Sequence, residues 1–183
     1  MRIVSGTHKS KRINAPKNLP VRPTTDMAKE ALFNIFNNYY YFDQISVLDL
    51  FSGIGSISLE FASRGTTNIT AVDKHSGCIK FLDKTIKELN FDFQTIKSDV
   101  FTFLERADQK FDVIFADPPY DFPDEKFQKI VDLVFDNDLL TDIGTLIVEH
   151  SPQTDLSKNS TFYQKKKYGS SIFSFFEEKS VEF

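Results

Sequence analysis

The hydrophobic positions of this chain fall into two rhythms that alternate along most of its length. Short, almost unbroken apolar runs at 45–50, 68–72, 93–97, 111–116 and 144–149 predict buried strands. Between them apolar residues return every three or four positions, which predicts helices near 55–64, 75–89, 100–106 and 124–136. A strand with no polar face must be covered from both sides, so the alternation predicts an α/β fold around a parallel sheet. The rhythm changes at both ends. Residues 161–168 and 171–176, separated by Gly169-Ser170, predict a terminal antiparallel hairpin. At the other end, Arg2-Ile3-Val4 and Arg12-Ile13 flank a polar stretch containing Gly6, the pattern of a small hairpin or irregular ribbon. Pro16, Pro20 and Pro23 then interrupt the chain. Thr24 or Thr25 offers an N-cap to a helix in which Ala28, Ala31, Leu32, Ile35 and Phe36 recur at helical spacing to about Asn38.

With 183 residues and 40% hydrophobic content the chain suits one globular unit. We expect an N-terminal extension, residues 1–42, on a main domain of residues 43–183. Cys78 is the only cysteine and His8, His75 and His150 are scattered, so neither a disulfide framework nor a metal site is expected. No run is long and apolar enough to span a membrane, and the basic N-terminus lacks the apolar core of a leader, so a cytoplasmic setting is expected. The net charge of −4 is unevenly placed. Arg2, Lys9, Lys11, Arg12, Lys17, Arg22 and Lys29 face Asp26 alone within the first 29 residues, which makes a basic arm on an acidic body. Such an arm suits either phosphate contacts or plain solvation. Lys165-Lys166-Lys167 reads as an exposed strand face.

Candidate chemistry lies where the strands end. Asp49-Leu50-Phe51-Ser52-Gly53-Ile54-Gly55 closes one strand and opens a helix, but Ser58 stands where the dinucleotide fingerprint wants its third glycine. Asp49, Asp73, Asp99 and Asp117 each stand at or just after the end of a strand, where open α/β sheets bind ligands. A ring of carboxylates lines a poor pyrophosphate site. It suits a cationic cofactor rich in amino and hydroxyl donors, a profile that S-adenosylmethionine matches. After the fourth strand comes Asp117-Pro118-Pro119-Tyr120. Two prolines make a rigid turn with free carbonyls, so Asp117 and the Pro118 carbonyl are placed to accept the hydrogens of an amino group, with Tyr120 stacking on the ring that bears it.

With these features the chain resembles the class I S-adenosylmethionine-dependent methyltransferases of exocyclic amines, and among them the bacterial 16S rRNA guanine-N2 methyltransferases. The residues that carry the resemblance are Arg2-Ile3-Val4-Ser5-Gly6, Arg22-Pro23-Thr24-Thr25-Asp26 running into Lys29-Glu30-Ala31-Leu32-Phe33-Asn34, the glycine loop, Asp73-Lys74, Asp117 to Tyr120 and Val148-Glu149-His150. The Asp-Pro-Pro-Tyr turn marks amine methyltransferases generally, and the Arg-Pro-Thr-Thr-Asp helix start points to the narrower family. Ser5 stands where many relatives have glycine. The resemblance implies a Rossmann-like, mostly parallel seven-stranded sheet ending in an antiparallel hairpin. It implies cofactor binding by Asp49, Phe51, Ser52, Gly53, Gly55, Ser56, Asp73, Lys74, Asp99, Val100 and Asp117. Within that set Asp49, Gly53 and Gly55 hold the methionine part, Asp73 the ribose hydroxyls and Asp99 the adenine amine. Catalysis is assigned to Asp117, Pro118, Pro119 and Tyr120, and contact with 16S rRNA in the small ribosomal subunit to Lys9, Lys11, Arg12, Arg22 and Thr24. A monomer is expected, and His150 is given a structural role.

An aromatic amine is a poor nucleophile because its lone pair is delocalised into the ring, so Asp117 is expected to orient it. An ionised carboxylate matches the two adjacent donors of guanine better than the donor and acceptor of adenine. The nearest alternative is a DNA adenine-N6 or cytosine-N4 methyltransferase, which usually needs a separate sequence-reading domain. A non-catalytic nucleotide- or RNA-binding module and an NAD-dependent oxidoreductase fit the Asp-Pro-Pro-Tyr turn and the aspartate ring less well.

Overall fold

Val47, Leu48 and Leu50 have no solvent-exposed surface, which is why the first apolar run forms a central strand. In a computed structural model that describes residues 1–22 and 24–178, this run is β1 (Ser46–Leu50). It is followed by α2 (Ser56–Ser63), β2 (Asn68–Asp73), α3 (Ser76–Glu88), β3 (Gln94–Lys97), α4 (Val100–Leu104), β4 (Phe111–Ala116), α5 (Asp124–Asp136) and β5 (Leu140–His150). The chain ends on the hairpin β6 (Phe162–Tyr168) and β7 (Ser171–Phe176), and α1 (Asp26–Phe36) precedes the sheet. The seven strands lie in the order β3-β2-β1-β4-β5-β7-β6. The first five run parallel, and β7 pairs antiparallel with both β5 and β6. Every parallel strand therefore ends on the same edge of the sheet.

The helices divide between the two faces. Leu32, Phe33 and Phe36 of α1 and Ile57 and Phe61 of α2 pack with Val47, Val113, Phe115 and Ile147 on one face, where Leu82 and Ile86 of α3 extend the layer. Leu104 of α4 and Phe127, Ile130 and Val134 of α5 cover Leu48, Ile114 and Leu146 on the other.

Three boundaries differ from the expected ones by two residues or more. The first helix ends at Phe36 and not near Asn38, the helix expected at 100–106 stops at Leu104, and the strand expected at 144–149 begins at Leu140. Thr141, Asp142 and Gly144 hide the start of β5, because the strand is irregular there: the register slips between Phe111 and Val113, and the Thr141 hydroxyl donates to Asp112 at 2.7 Å. A side chain on Gly144 would lie 2.9 Å from the Phe111 carbonyl oxygen.

The N-terminal ribbon is a folded hairpin. Arg2 and Arg12 pair antiparallel, and Ile3 and Ile13 are buried against Leu59, Leu82 and Leu89. Its tip lies against the end of α2: Thr7 N–H donates to the Ser63 carbonyl at 2.7 Å, and Gly6 approaches so closely that a Cβ there would meet that oxygen at 1.8 Å. The wholly buried Glu60 accepts from Val4 N–H and Ser5 N–H and pairs with Lys29 and Arg64. Lys29, read from sequence as part of the basic arm, is an internal strut with no exposed surface. Its ammonium donates to the Arg2 carbonyl at 2.6 Å, and burial pulls its pKa down against the opposing pull of Glu60. Arg2 is held on Asp26 at 3.0 Å. Pro23 lies outside the described residues.

Candidate active site

The shared edge where the parallel strands end opens on a crevice of about 460 Å³. Each β-to-α connection delivers one acid to it. Asp49, buried at the tip of β1, accepts from Ser58 N–H at 3.1 Å and from the Ser58 hydroxyl at 2.5 Å. The residue in the place of the missing third glycine thus serves as the donor that fixes Asp49. Asp73, ending β2, accepts from Gly53 N–H and His75 N–H, both at 2.8 Å, and so holds the glycine loop in shape. Asp99 caps α4 through Thr102 N–H at 3.1 Å.

A fifth acid, named in sequence only for the resemblance and given no site role there, joins them. Glu149, at the end of β5 and 2% exposed, accepts from the hydroxyls of Ser171 at 2.7 Å, Thr24 at 3.0 Å and Tyr120 at 3.2 Å. One carboxylate thus joins the chain entering α1, the Asp-Pro-Pro-Tyr turn and the start of β7. The strand-tip rule that singled out the four aspartates also finds Glu149, whereas Ser171 opens an antiparallel strand and carries no local signal.

Asp117 is different. Its N–H is tied to the Leu50 carbonyl at 3.3 Å, but its carboxylate has no protein hydrogen-bond partner among the described residues. Enclosure pushes its pKa well up, the charges of Glu149 and Asp49 add to that, and Arg22 opposes it. The Pro118 carbonyl also lacks a backbone donor among the described residues, since Phe122 N–H goes to Pro119. A half-open carboxylate and a free carbonyl therefore stand side by side, both acceptors and both directed by a turn the two prolines hold stiff.

Of the cofactor residues expected from sequence, Asp49, Phe51, Ser52, Gly53, Ser56, Asp73, Lys74, Asp99, Val100 and Asp117 line the crevice. Gly55 does not; it turns the chain into α2 at φ 83° and packs on Leu82. The Ser52 hydroxyl is buried in the glycine loop without a hydrogen-bond partner among the described residues. That orphaned donor, the Ile54 and Ser56 N–H groups, which have no acceptor among the described residues, and the surrounding carboxylates fit a ligand carrying both an anionic and a cationic end.

Pro118, Pro119 and Tyr120 also line the crevice. The Arg22 guanidinium lies over the Tyr120 ring, 5.3 Å from its centroid, so one ring face is covered. Arg22 and Thr24 are crevice residues. Lys9, Lys11 and Arg12 are exposed but sit on the ribbon, and Lys9 lies at the tip that docks beside Ser63, at the far end of α2 from the crevice. His150 is buried between the Ser151 carbonyl and the Ser174 hydroxyl, both at 2.8 Å, with its pKa lowered by burial, as a structural residue would be. Among the described residues no cluster suited to a metal ion is present and no helix is long and apolar enough to cross a membrane.

Residues 1–177 match the family model described as Conserved hypothetical protein 95. A putative rRNA methyltransferase, YlbH of Bacillus subtilis, is 31% identical over 177 residues, covering 92% of this chain and 94% of that protein. Ribosomal RNA small subunit methyltransferase D of Escherichia coli is 27% identical over 157 residues, covering 85% and 77%. Among solved structures, the putative methyltransferase yhhF from Escherichia coli has the same fold with a TM-score of 0.83 at 23% identity, over 98% of this chain and 99% of that one. The Thermus thermophilus 16S rRNA N2 G1207 methyltransferase (RsmC), solved with AdoMet and guanosine, matches with a TM-score of 0.70 at 21% identity, over 88% of this chain and 45% of that one.

Proposed function

The chain belongs to the family described as Conserved hypothetical protein 95, and on that premise we propose that it methylates ribosomal RNA, at the 2-amino group of a guanine in the 16S rRNA of the small subunit. The observation that carries this reading is the Asp117 carboxylate, without a hydrogen-bond partner among the described residues, beside the free Pro118 carbonyl. Four neighbouring acids have hydrogen bonds that hold the scaffold, and Asp117 stands ready to accept from something else.

S-adenosylmethionine, when bound, supplies an electrophilic methyl group on a sulfonium. The Ser52 hydroxyl and the Ile54 and Ser56 N–H groups suit its carboxylate, Asp49 its cationic end, Asp73 its ribose hydroxyls and Asp99 its adenine amine. On the other half of the crevice, Asp117 and Pro118 accept the two hydrogens of the target amine, which favours a tetrahedral nitrogen whose lone pair is localised and directed at the methyl group. Glu149 fixes Tyr120 through its hydroxyl, so the ring's orientation is set before substrate arrives. Arg22 covers one face of Tyr120, leaving the other for the base.

The test is transfer of labelled methyl from S-adenosylmethionine to small ribosomal subunits, naked 16S rRNA and DNA from cells lacking this protein, followed by nucleoside identification. Label in N2-methylguanosine of 16S rRNA is expected. Label in DNA, or none in RNA, would refute the assignment.

The position of Glu149 carries a further expectation. Its charge raises the Asp117 pKa, and protonated Asp117 has lost one of the two acceptors that meet the ring N–H and the amine of guanine, so activity rises with pH as Asp117 ionises. Glu149→Gln removes one repelling charge and should move that rising limb to lower pH. A pH-rate profile of the variant with an unmoved limb would mean that Glu149 does not act on Asp117.

A further inference from the structure

The crevice has two halves, set by strand order. The acids suited to the cofactor stand at the tips of β1, β2 and β3, while Asp117 directly follows β4, Glu149 lies near the end of β5 and Ser171 opens β7. A base presented to Asp117 therefore lies over the half of the sheet that ends at β6, the free edge strand. Three consecutive residues of that strand, Lys165, Lys166 and Lys167, are exposed. They pair with Ser174, Phe173 and Ile172, so the lysine run climbs toward the β6-β7 turn, whose Ser170 and Ser171 line the crevice. Exposed Lys158 adds a fourth cation to this edge, with Asp155 the acid beside it. This basic edge stands out on a chain of net charge −4. The ribbon lysine Lys9, by contrast, sits at the far end of α2.

We infer that the free edge of β6 is a binding surface for the RNA sugar-phosphate backbone, with Lys165, Lys166 and Lys167 contacting phosphates that flank the target nucleotide. This rests on the proposed action on rRNA. Side chains alternate faces along a strand at about 3.3 Å per residue, so Lys165 and Lys167 share one face about 6.6 Å apart and Lys166 approaches the free edge from the other, which lets ammonium groups flank a sugar-phosphate backbone that runs along the edge. Edge lysines also prevent sheets from pairing edge to edge. The two roles are separable, because glutamates guard an edge equally well and repel phosphate.

The experiment measures methyl transfer to small ribosomal subunits from cells lacking the protein, as a function of substrate and salt. It compares wild type with Lys165→Glu/Lys166→Glu/Lys167→Glu and with the corresponding triple arginine variant. Thermal protection by S-adenosylmethionine serves as the control for fold and cofactor site. The glutamate variant should keep that protection and its maximal rate. Its half-saturating substrate concentration should rise about tenfold or more, with the log-log salt slope reduced by about 2 for the three lost contacts. The arginine variant should behave as wild type. If wild type methylates the RNA and the glutamate variant has the same half-saturation and salt slope, this inference fails and the proposed function stands. If wild type methylates no RNA, the premise falls and the surface with it.

Discussion

Asp117→Ala is expected to lower methyl transfer to rRNA by about a thousandfold, a loss of roughly 4 kcal/mol of transition-state stabilisation, which is the size seen when a placed polar contact to a reacting group is removed. The side chain makes no hydrogen bond to the protein among the described residues, so its removal leaves no scaffold group unpartnered. Thermal protection by S-adenosylmethionine should persist, which separates a lost amine acceptor from a lost fold. Asp117→Asn sharpens the expectation. It keeps the shape but turns one acceptor into a donor, which opposes the ring N–H of guanine and suits the ring acceptor of adenine. On guanine the asparagine variant should lose nearly as much as alanine. Single-turnover methyl transfer with each variant measures this directly, and a near-normal rate in Asp117→Ala would remove Asp117 from the mechanism.

Asp49→Asn is expected to weaken S-adenosylmethionine binding about a hundredfold while making the cofactor-free protein more stable at alkaline pH. Burial raises the Asp49 carboxyl from 3.8 to about 7, against the two hydrogen bonds from Ser58 that favour its ionised form. Because the folded-state pKa lies above the unfolded one, the stabilisation Asp49 contributes is complete below about pH 4 and is lost as pH rises through about 7. Above that, the folded protein holds a buried charge. Asparagine preserves an acceptor for Ser58 without the charge, so the variant should exceed wild type by a few kcal/mol at pH 8, with the gap closing toward pH 4. The same charge is what a cationic ligand meets, and removing one member of a buried charge pair costs on the order of 2–5 kcal/mol of binding. Wild-type affinity for S-adenosylmethionine should accordingly strengthen as pH rises through about 7. Calorimetric unfolding and titration of both proteins between about pH 4 and pH 8 cover that window. Equal stability at pH 8 together with undiminished binding would show that Asp49 is a structural acid alone.

The local code of the chain determined its architecture. Apolar runs such as Val113-Ile114-Phe115-Ala116 are buried because a parallel strand is covered on both faces, and that requirement is written in consecutive residues. Acids at strand tips and two prolines after β4 were legible for the same reason: strand ends and rigid turns are local, and parallel strands bring their ends to one edge. The start of β5 was not legible, because its register slip is set by Asp112 on the neighbouring strand. Composition alone misplaced Lys29, which counts as a cation in sequence and becomes a buried strut only when Glu60, 31 residues on, comes within 3.4 Å. The tertiary structure alone decided which acids are already hydrogen-bonded and which one is free. Asp49, Asp73, Asp99 and Asp117 look alike along the chain, and only the donors brought by Ser58, Gly53, His75 and Thr102 set three of them apart from Asp117. Glu149 gathers hydroxyls from residues 24, 120 and 171, a convergence across more than a hundred residues that no local pattern encodes because it exists only once the sheet has closed.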